Sequence, residues 1–243
     1  MNSFTEKEVI ELYEWYQNLE NQIHRILEII PFSSMGDLKN ISSPRLVPVL
    51  IESASISDSI LRSLFPKKAL RPNNKPITRN GANIYDYCHV LEKDLKLTKT
   101  SSLFMGSMPL ILIPFKGWAE SYPHKIKWWN AYNRLKHDRF KWSKEANLLS
   151  TLNALCGLHQ LMTKISSVLR YSLRFNWVDS PQYVPEVALE MIEVPNNAEY
   201  LAYTNYFCTP LKPILWDSDE DIVPLNFTNS SRLAKYLGRV HGL

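Results

Sequence analysis

Residues 144–173 read KEANLLSTLNALCGLHQLMTKISSVLRYSL, and the spacing of their apolar side chains decides the fold class. Leu148, Leu152, Leu155, Leu158, Met162 and Ile165 recur every three or four positions, which keeps one side of an α-helix apolar. Further leucines fill in between them, so the helix is expected to be buried over more than one face. A single helix over residues 144–173 is predicted.

Working outward, the same period recurs four times on the N-terminal side. Thr5 followed by Glu8 forms a capping-box pattern. The apolar spacing from Val9 to Ile30 extends that first helix to Pro31. A polar connection over residues 33–40 follows. Ser43-Pro44 reads as a helix start, with Pro48 tolerable because it falls in the first turn of a helix over residues 45–65. Residues 66–80 read as a loop, and residues 82–97 as a third helix. A fourth helix runs from Pro123 to about Arg139. Between the third and fourth, residues 101–118 hold two short apolar stretches and are predicted to form a β-hairpin, which Pro109 and Pro114 would confine to a sheet edge. The expectation is a mainly α bundle of about five long helices over residues 1–175, with the hairpin inserted. Residues 176–243 form a mixed, irregular extension packed on it. Residues 184–194 read as a strand or a short helix.

Composition excludes several function classes. Seven glycines stand against fifteen prolines, and neither a dinucleotide-binding nor a phosphate-loop glycine pattern occurs. No serine nucleophile elbow is found, and no His/Cys set has zinc spacing, so no metal or other cofactor is expected. Cys88, Cys156 and Cys208 are far apart and odd in number, which suits buried free thiols in a reducing compartment. The polar start MNSFTEKE lacks a signal-peptide pattern, and the longest apolar run, residues 109–115, is too short to span a bilayer. A cytoplasmic protein without a membrane span is expected.

The net charge of +4 permits nucleic-acid contact without requiring it. Its distribution is more telling. Lys125, Lys127, Arg134, Lys136, Arg139, Lys141 and Lys144 surround His137, and Asp138 is the one acid between residues 125 and 144. Such a run holds a phosphodiester well, although a solvated helix face has the same composition. In the fourth helix, WWNAYNRLKHDR over residues 128–139, seven residues make nearly two turns. Asn130 and His137 therefore share a face, with Asn133 and Arg134 between them. Trp128, Trp129 and Tyr132 anchor this strip as core or dimer-interface residues. A histidine that exchanges protons near neutral pH, cations that stabilise a phosphorane and amides that orient a substrate are the parts of metal-free RNA cleavage. A helix-end histidine also caps carbonyls or pairs with a neighbour such as Asp138. Glu52 and Asp58 are candidates to orient His137 or Arg139 from a neighbouring helix. His89 and His159, on apolar helices, read as buried, hydrogen-bonded histidines.

The segment Asn133-x-x-Lys136-His137-Asp138-Arg139, placed just before a leucine-rich last helix in a bundle of long helices, resembles the HEPN superfamily over roughly residues 5–173. That resemblance implies a homodimer, with two histidine helices meeting in one composite site. It also implies metal-independent endoribonuclease activity in a bacterial toxin–antitoxin or phage-defence setting, with an antitoxin or other protein partner. His137 would be the general acid or base, Arg139 and Arg134 would stabilise the phosphate, and Asn130 and Asn133 would position it. Lys136, Lys127 and Lys141 would hold the flanking substrate. The superfamily pattern places a polar residue, often arginine, separated by four to six intervening residues from the histidine; here that window holds Tyr132, Ala131 and Asn130, of which Asn130 is the polar candidate and none is arginine. A catalytically inactive module that binds a nucleotide, an RNA or a partner protein is the alternative this departure implies. A structural oligomerisation protein, with the aromatic helix as its interface, is the third reading.

Overall fold

The computed structural model describes residues 4–30, 35–105, 110–118, 126–172, 178–179, 201–210 and 222–224. Among them are seven α-helices, five of them long: α1 (Glu6–Leu27), α3 (Leu46–Leu64), α4 (Ile84–Leu95), α5 (Lys127–His137) and α6 (Leu148–Thr163). Two are short, α2 (Met35–Asn40) and α7 (Ser166–Ser172). The protein is mainly helical, with two small antiparallel sheets.

Local chemistry sets the helix ends. At the start of α1, Thr5 Oγ1 accepts from the Glu8 N–H while Glu8 Oε2 accepts from the Thr5 N–H, so two orphan donors are satisfied together. The helix stops at Leu27, short of the expected Pro31, where the Ile29 and Ile30 N–H groups both turn to the Ile26 carbonyl. The polar connection before α3 contains α2. Ser43 does not cap α3 directly: its hydroxyl accepts from the Arg45 N–H and its carbonyl from the Leu46 N–H, forming a turn that leads into the helix. Asn83 caps α4 through bonds from the Tyr85 and Asp86 N–H groups.

The expected single helix over residues 144–173 is two. It begins at Leu148, because Asn147 supplies a side-chain cap to the Ser150 N–H, and residues 143–145 form a separate 3₁₀ turn. It breaks after Thr163, whose hydroxyl donates to the Gln160 carbonyl, the acceptor the Lys164 N–H would otherwise use. The Lys164 N–H turns to Leu161 and Met162 instead, and α7 starts at Ser166. Every residue of α6 from Thr151 to Thr163 is buried. The helix lies along α3 and touches α1, α2, α5 and α7, which makes it the axis of the core.

Two further corrections concern strands. The expected loop over residues 66–80 contains a hairpin, β1 (Lys68–Leu70) with β2 (Pro76–Thr78), turned by Asn74 in the left-handed region at φ 60°. The hairpin over residues 101–118 forms, as β3 (Ser102–Phe104) and β4 (Leu110–Leu112), but in the middle of a sheet rather than at an edge. Pro114 follows the three residues of β4, which pair on both sides, and Pro109 lies outside the described residues. Four strands from later in the chain flank the pair: β5 (Val178–Asp179), β6 (Leu201–Tyr203), β7 (Phe207–Pro210) and β8 (Ile222–Pro224), in the order β5-β6-β7-β3-β4-β8. Strands from both sides of position 175 thus share one sheet. A buried polar seam ties it to α6: Gln160 Nε2 donates to Ser102 Oγ at 2.8 Å, and His159 Nδ1 bonds Thr209 Oγ1 at 2.9 Å. Glu20 of α1, buried and therefore raised in pKa, accepts from the Thr204 hydroxyl and the Tyr206 N–H at the β6–β7 turn. The residues expected to open the fourth helix, Pro123 and Lys125, and the segment 184–194 lie outside the described residues.

Candidate nucleic-acid interface on α5

The aromatic half of α5 is core. Trp128 Nε1 donates to the Pro114 carbonyl at 2.8 Å, and its ring meets Phe115 edge-on at 5.7 Å. Trp129 and Tyr132 continue the stack and are nearly buried. Gly157 lets α6 approach: a Cβ there would stand 3.2 Å from the Trp128 ring. The helix is thereby fixed in position and rotation, and its polar residues point outward by necessity.

They do not form one strip. Asn130, Asn133 and Lys136 line a cleft of about 720 Å³ shared with α3 and the start of α4. Arg134 turns the other way: its Nη1 bonds Glu145 Oε1 at 2.6 Å and its guanidinium lies 4.8 Å from the centre of the Trp142 ring. Lys127 sits on that second side, around a smaller pocket of about 360 Å³ that Glu145 also lines. His137 ends the helix and is exposed, as are Arg139 and Lys141 beyond it. The structure therefore brings Asn130, Asn133 and Lys136 together and places His137, Arg139 and Lys141 at the helix end. Arg134 and Lys127 do not line that cleft, and Arg134 shares the Trp142 ring with Lys141 at the turn.

The chain past His137 makes a tight turn. Asp138 is extended, its Oδ1 accepts from the Lys141 N–H at 3.0 Å, and its carbonyl accepts from the Trp142 N–H. Its carboxylate thus shapes the turn. The turn presents Phe140 at 97% exposure between Arg139 and Lys141, while the Lys141 ammonium lies 5.0 Å from the Trp142 ring centre. Sequence reading ended the fourth helix at about Arg139 and gave Phe140 no role. Its signal was an apolar residue off the helical period with a cation on each side.

The cleft holds residues that sequence reading also passed over. Arg71 Nε and Nη2 donate to the two oxygens of Asp86 at 2.7 and 2.9 Å, and this guanidinium keeps the buried carboxyl below its ordinary pKa. Arg62 pairs with Asp58 at 2.9 Å, so Asp58 serves α3 rather than orienting His137. These partners are far apart in sequence or on another element, and no spacing rule connects them to α5.

The remaining candidates resolve simply. His159 is buried and hydrogen-bonded, and burial lowers its pKa to about 3; His89, expected to be buried, is exposed on α4. All three cysteines are free and buried, and burial pushes each thiol up to about 12, which suppresses thiolate chemistry. Among the described residues no group of three or more His, Cys, Asp or Glu could hold a metal ion, and no helix is long and apolar enough to cross a membrane. Comparison with protein families, curated proteins and solved structures finds no match.

Proposed function

We propose that this is a HEPN-like helical protein that binds RNA on the exposed end of α5 and the turn that follows it. The observation that carries this reading is the exposed set Lys136, His137, Arg139, Phe140 and Lys141. Cations neutralise phosphates, and an aromatic side chain free on both faces stacks on a base. Arg134 contributes by rigidity instead, since its pairing with Glu145 fixes the turn against the helix. The HEPN likeness goes with a homodimer and with a toxin–antitoxin or phage-defence role, and both belong to this proposal. RNA cleavage is the second reading, favoured by the exposure of His137 beside Arg139 at the end of one rigid helix.

One experiment addresses both. A fluorescein-labelled unstructured oligoribonucleotide is incubated with the purified protein in EDTA, with anisotropy reading binding and gel electrophoresis reading cleavage. Binding that weakens with salt is the expected result. Cyclic-phosphate ends that disappear in His137→Ala, with binding retained, would establish the nuclease. No anisotropy change at micromolar protein would refute RNA binding.

A further inference from the structure

A second cationic surface lies on the hairpin of β1 and β2. Between Asp58 and Asp86 the chain carries Arg62, Lys67, Lys68, Arg71, Lys75 and Arg79, and no acid. The three arginines are used within the structure. Arg62 pairs with Asp58, Arg71 grips both oxygens of Asp86, and Arg79 Nε donates to the Phe65 carbonyl at 2.8 Å. Arg71 thereby ties the hairpin turn to α4, and Arg79 ties the exit of β2 to the end of α3. Ile77 is buried, and its cross-strand partner Ala69 packs against the same core. Alternation along each strand then turns Lys68 and Thr78 outward, together with Leu70 and Pro76. Lys67 and Lys75, which precede the two strands, are exposed as well. The lysines are the surplus charge, on a ribbon already fixed from both ends.

This surface borders the one assigned to RNA above. Arg71 at the hairpin turn and Lys136 of α5 line the same cleft, so the ribbon and the end of α5 share one opening. Leu70, 56% exposed, would also meet a bilayer, but one leucine buries too little to hold there, since even a myristoyl chain attaches only marginally. We propose that the β1–β2 ribbon is a second contact for an RNA strand, with Lys67, Lys68 and Lys75 on its phosphates while the end of α5 holds another stretch of the same strand. The inference rests on the RNA reading and names its substrate class, a strand long enough to reach both surfaces. Phe140 stacks only on an unpaired base, so that strand is single at the α5 end. Two weak contacts joined by one strand bind far more tightly than either does alone.

The test measures, by anisotropy, binding of the full chain to labelled oligouridylates from about 4 to about 16 nucleotides long. Affinity is expected to rise in a step of at least about tenfold once the strand reaches both surfaces. The triple variant Lys67→Gln, Lys68→Gln, Lys75→Gln, at exposed positions that do not threaten folding, removes the step. For the longest strand it also makes the slope of log K against log salt shallower by about 2. The charge-matched control Lys7→Gln, Lys93→Gln, Lys99→Gln, outside both surfaces, keeps the step. If the parent binds RNA but the hairpin variant loses no more than the control, the ribbon proposal is overturned while the RNA reading at α5 stands. If the hairpin variant loses affinity and neutralising Lys136, Arg139 and Lys141 changes nothing, the ribbon contact stands and the α5 assignment falls. If vesicles of phosphatidylserine and phosphatidylcholine bind through the three hairpin lysines and the oligouridylates do not, the ribbon is a membrane surface and the proposal is overturned.

Discussion

Helices α5 and α6 lie against each other, and each carries one histidine in its C-terminal half, yet the two rings have opposite fates. His159 of α6 is fully buried, bonded to Thr209, and packed 5.7 Å from the Tyr16 ring. His137 of α5 is exposed at a helix end among cations. The difference comes from the rest of each helix. α6 is apolar around most of its circumference, so whatever polar side chain it carries must be satisfied inside. α5 has one aromatic face, and burying Trp128, Trp129 and Tyr132 forces its amides and cations to the surface. One helix is scaffold, and the other is a surface held rigid by that scaffold.

Breaking the scaffold gives the largest effect. Leu155→Ala removes a fully buried side chain of α6 and is expected to cost about 2–5 kcal/mol in urea unfolding. A loss below about 1 kcal/mol would mean that α6 is not the axis of the core.

The second effect is a pH dependence. Burial holds His159 at about 3, below its ordinary 6.5, so the unfolded chain binds the extra proton between those values. Stability from this ring is complete above about pH 6.5 and is lost as pH falls toward 3, by at most about 5 kcal/mol. His159→Gln keeps a polar group for Thr209 and should give a shallower decline of the urea midpoint over that window. Equal slopes for parent and variant would contradict a neutral buried ring.

Much of this contrast was legible in the sequence. The periodicity within residues 144–173 gave the buried helix, and the apolar spacing of Trp128, Trp129, Tyr132 and Leu135 gave the buried face of α5. What could not be read depended on contacts distant in sequence. The hairpin of β3 and β4 looked like an edge because of Pro109 and Pro114, and the strands that enclose it, β7 and β8, come from residues 207–210 and 222–224, far along the chain. Arg134 looked available to a substrate because Glu145 lies beyond the helix, across a turn. The break after Thr163 turns on one hydroxyl choosing a carbonyl, which no periodicity registers.

Smaller effects sharpen the same contrast on α5. Arg134→Gln loses a partly exposed ion pair and a ring contact, so a cost of about 1 kcal/mol is expected, with weaker RNA binding only as far as the turn loosens. Hydrogen exchange at the N–H groups of Lys141 and Trp142 should quicken in that variant; unchanged exchange would detach Arg134 from the turn. His137→Ala should shift stability by less than about 0.5 kcal/mol, since the ring is exposed. A larger loss in urea unfolding would place His137 among the structural residues with His159.

The most direct test compares the parent with the triple variant Lys136→Gln, Arg139→Gln, Lys141→Gln in oligoribonucleotide binding across a salt series. If these three cations hold phosphates, affinity falls and the slope of log K against log salt becomes shallower by about 2. Equal affinity and equal slope in the two proteins, with both folded, would contradict the assignment of RNA binding to this end of α5.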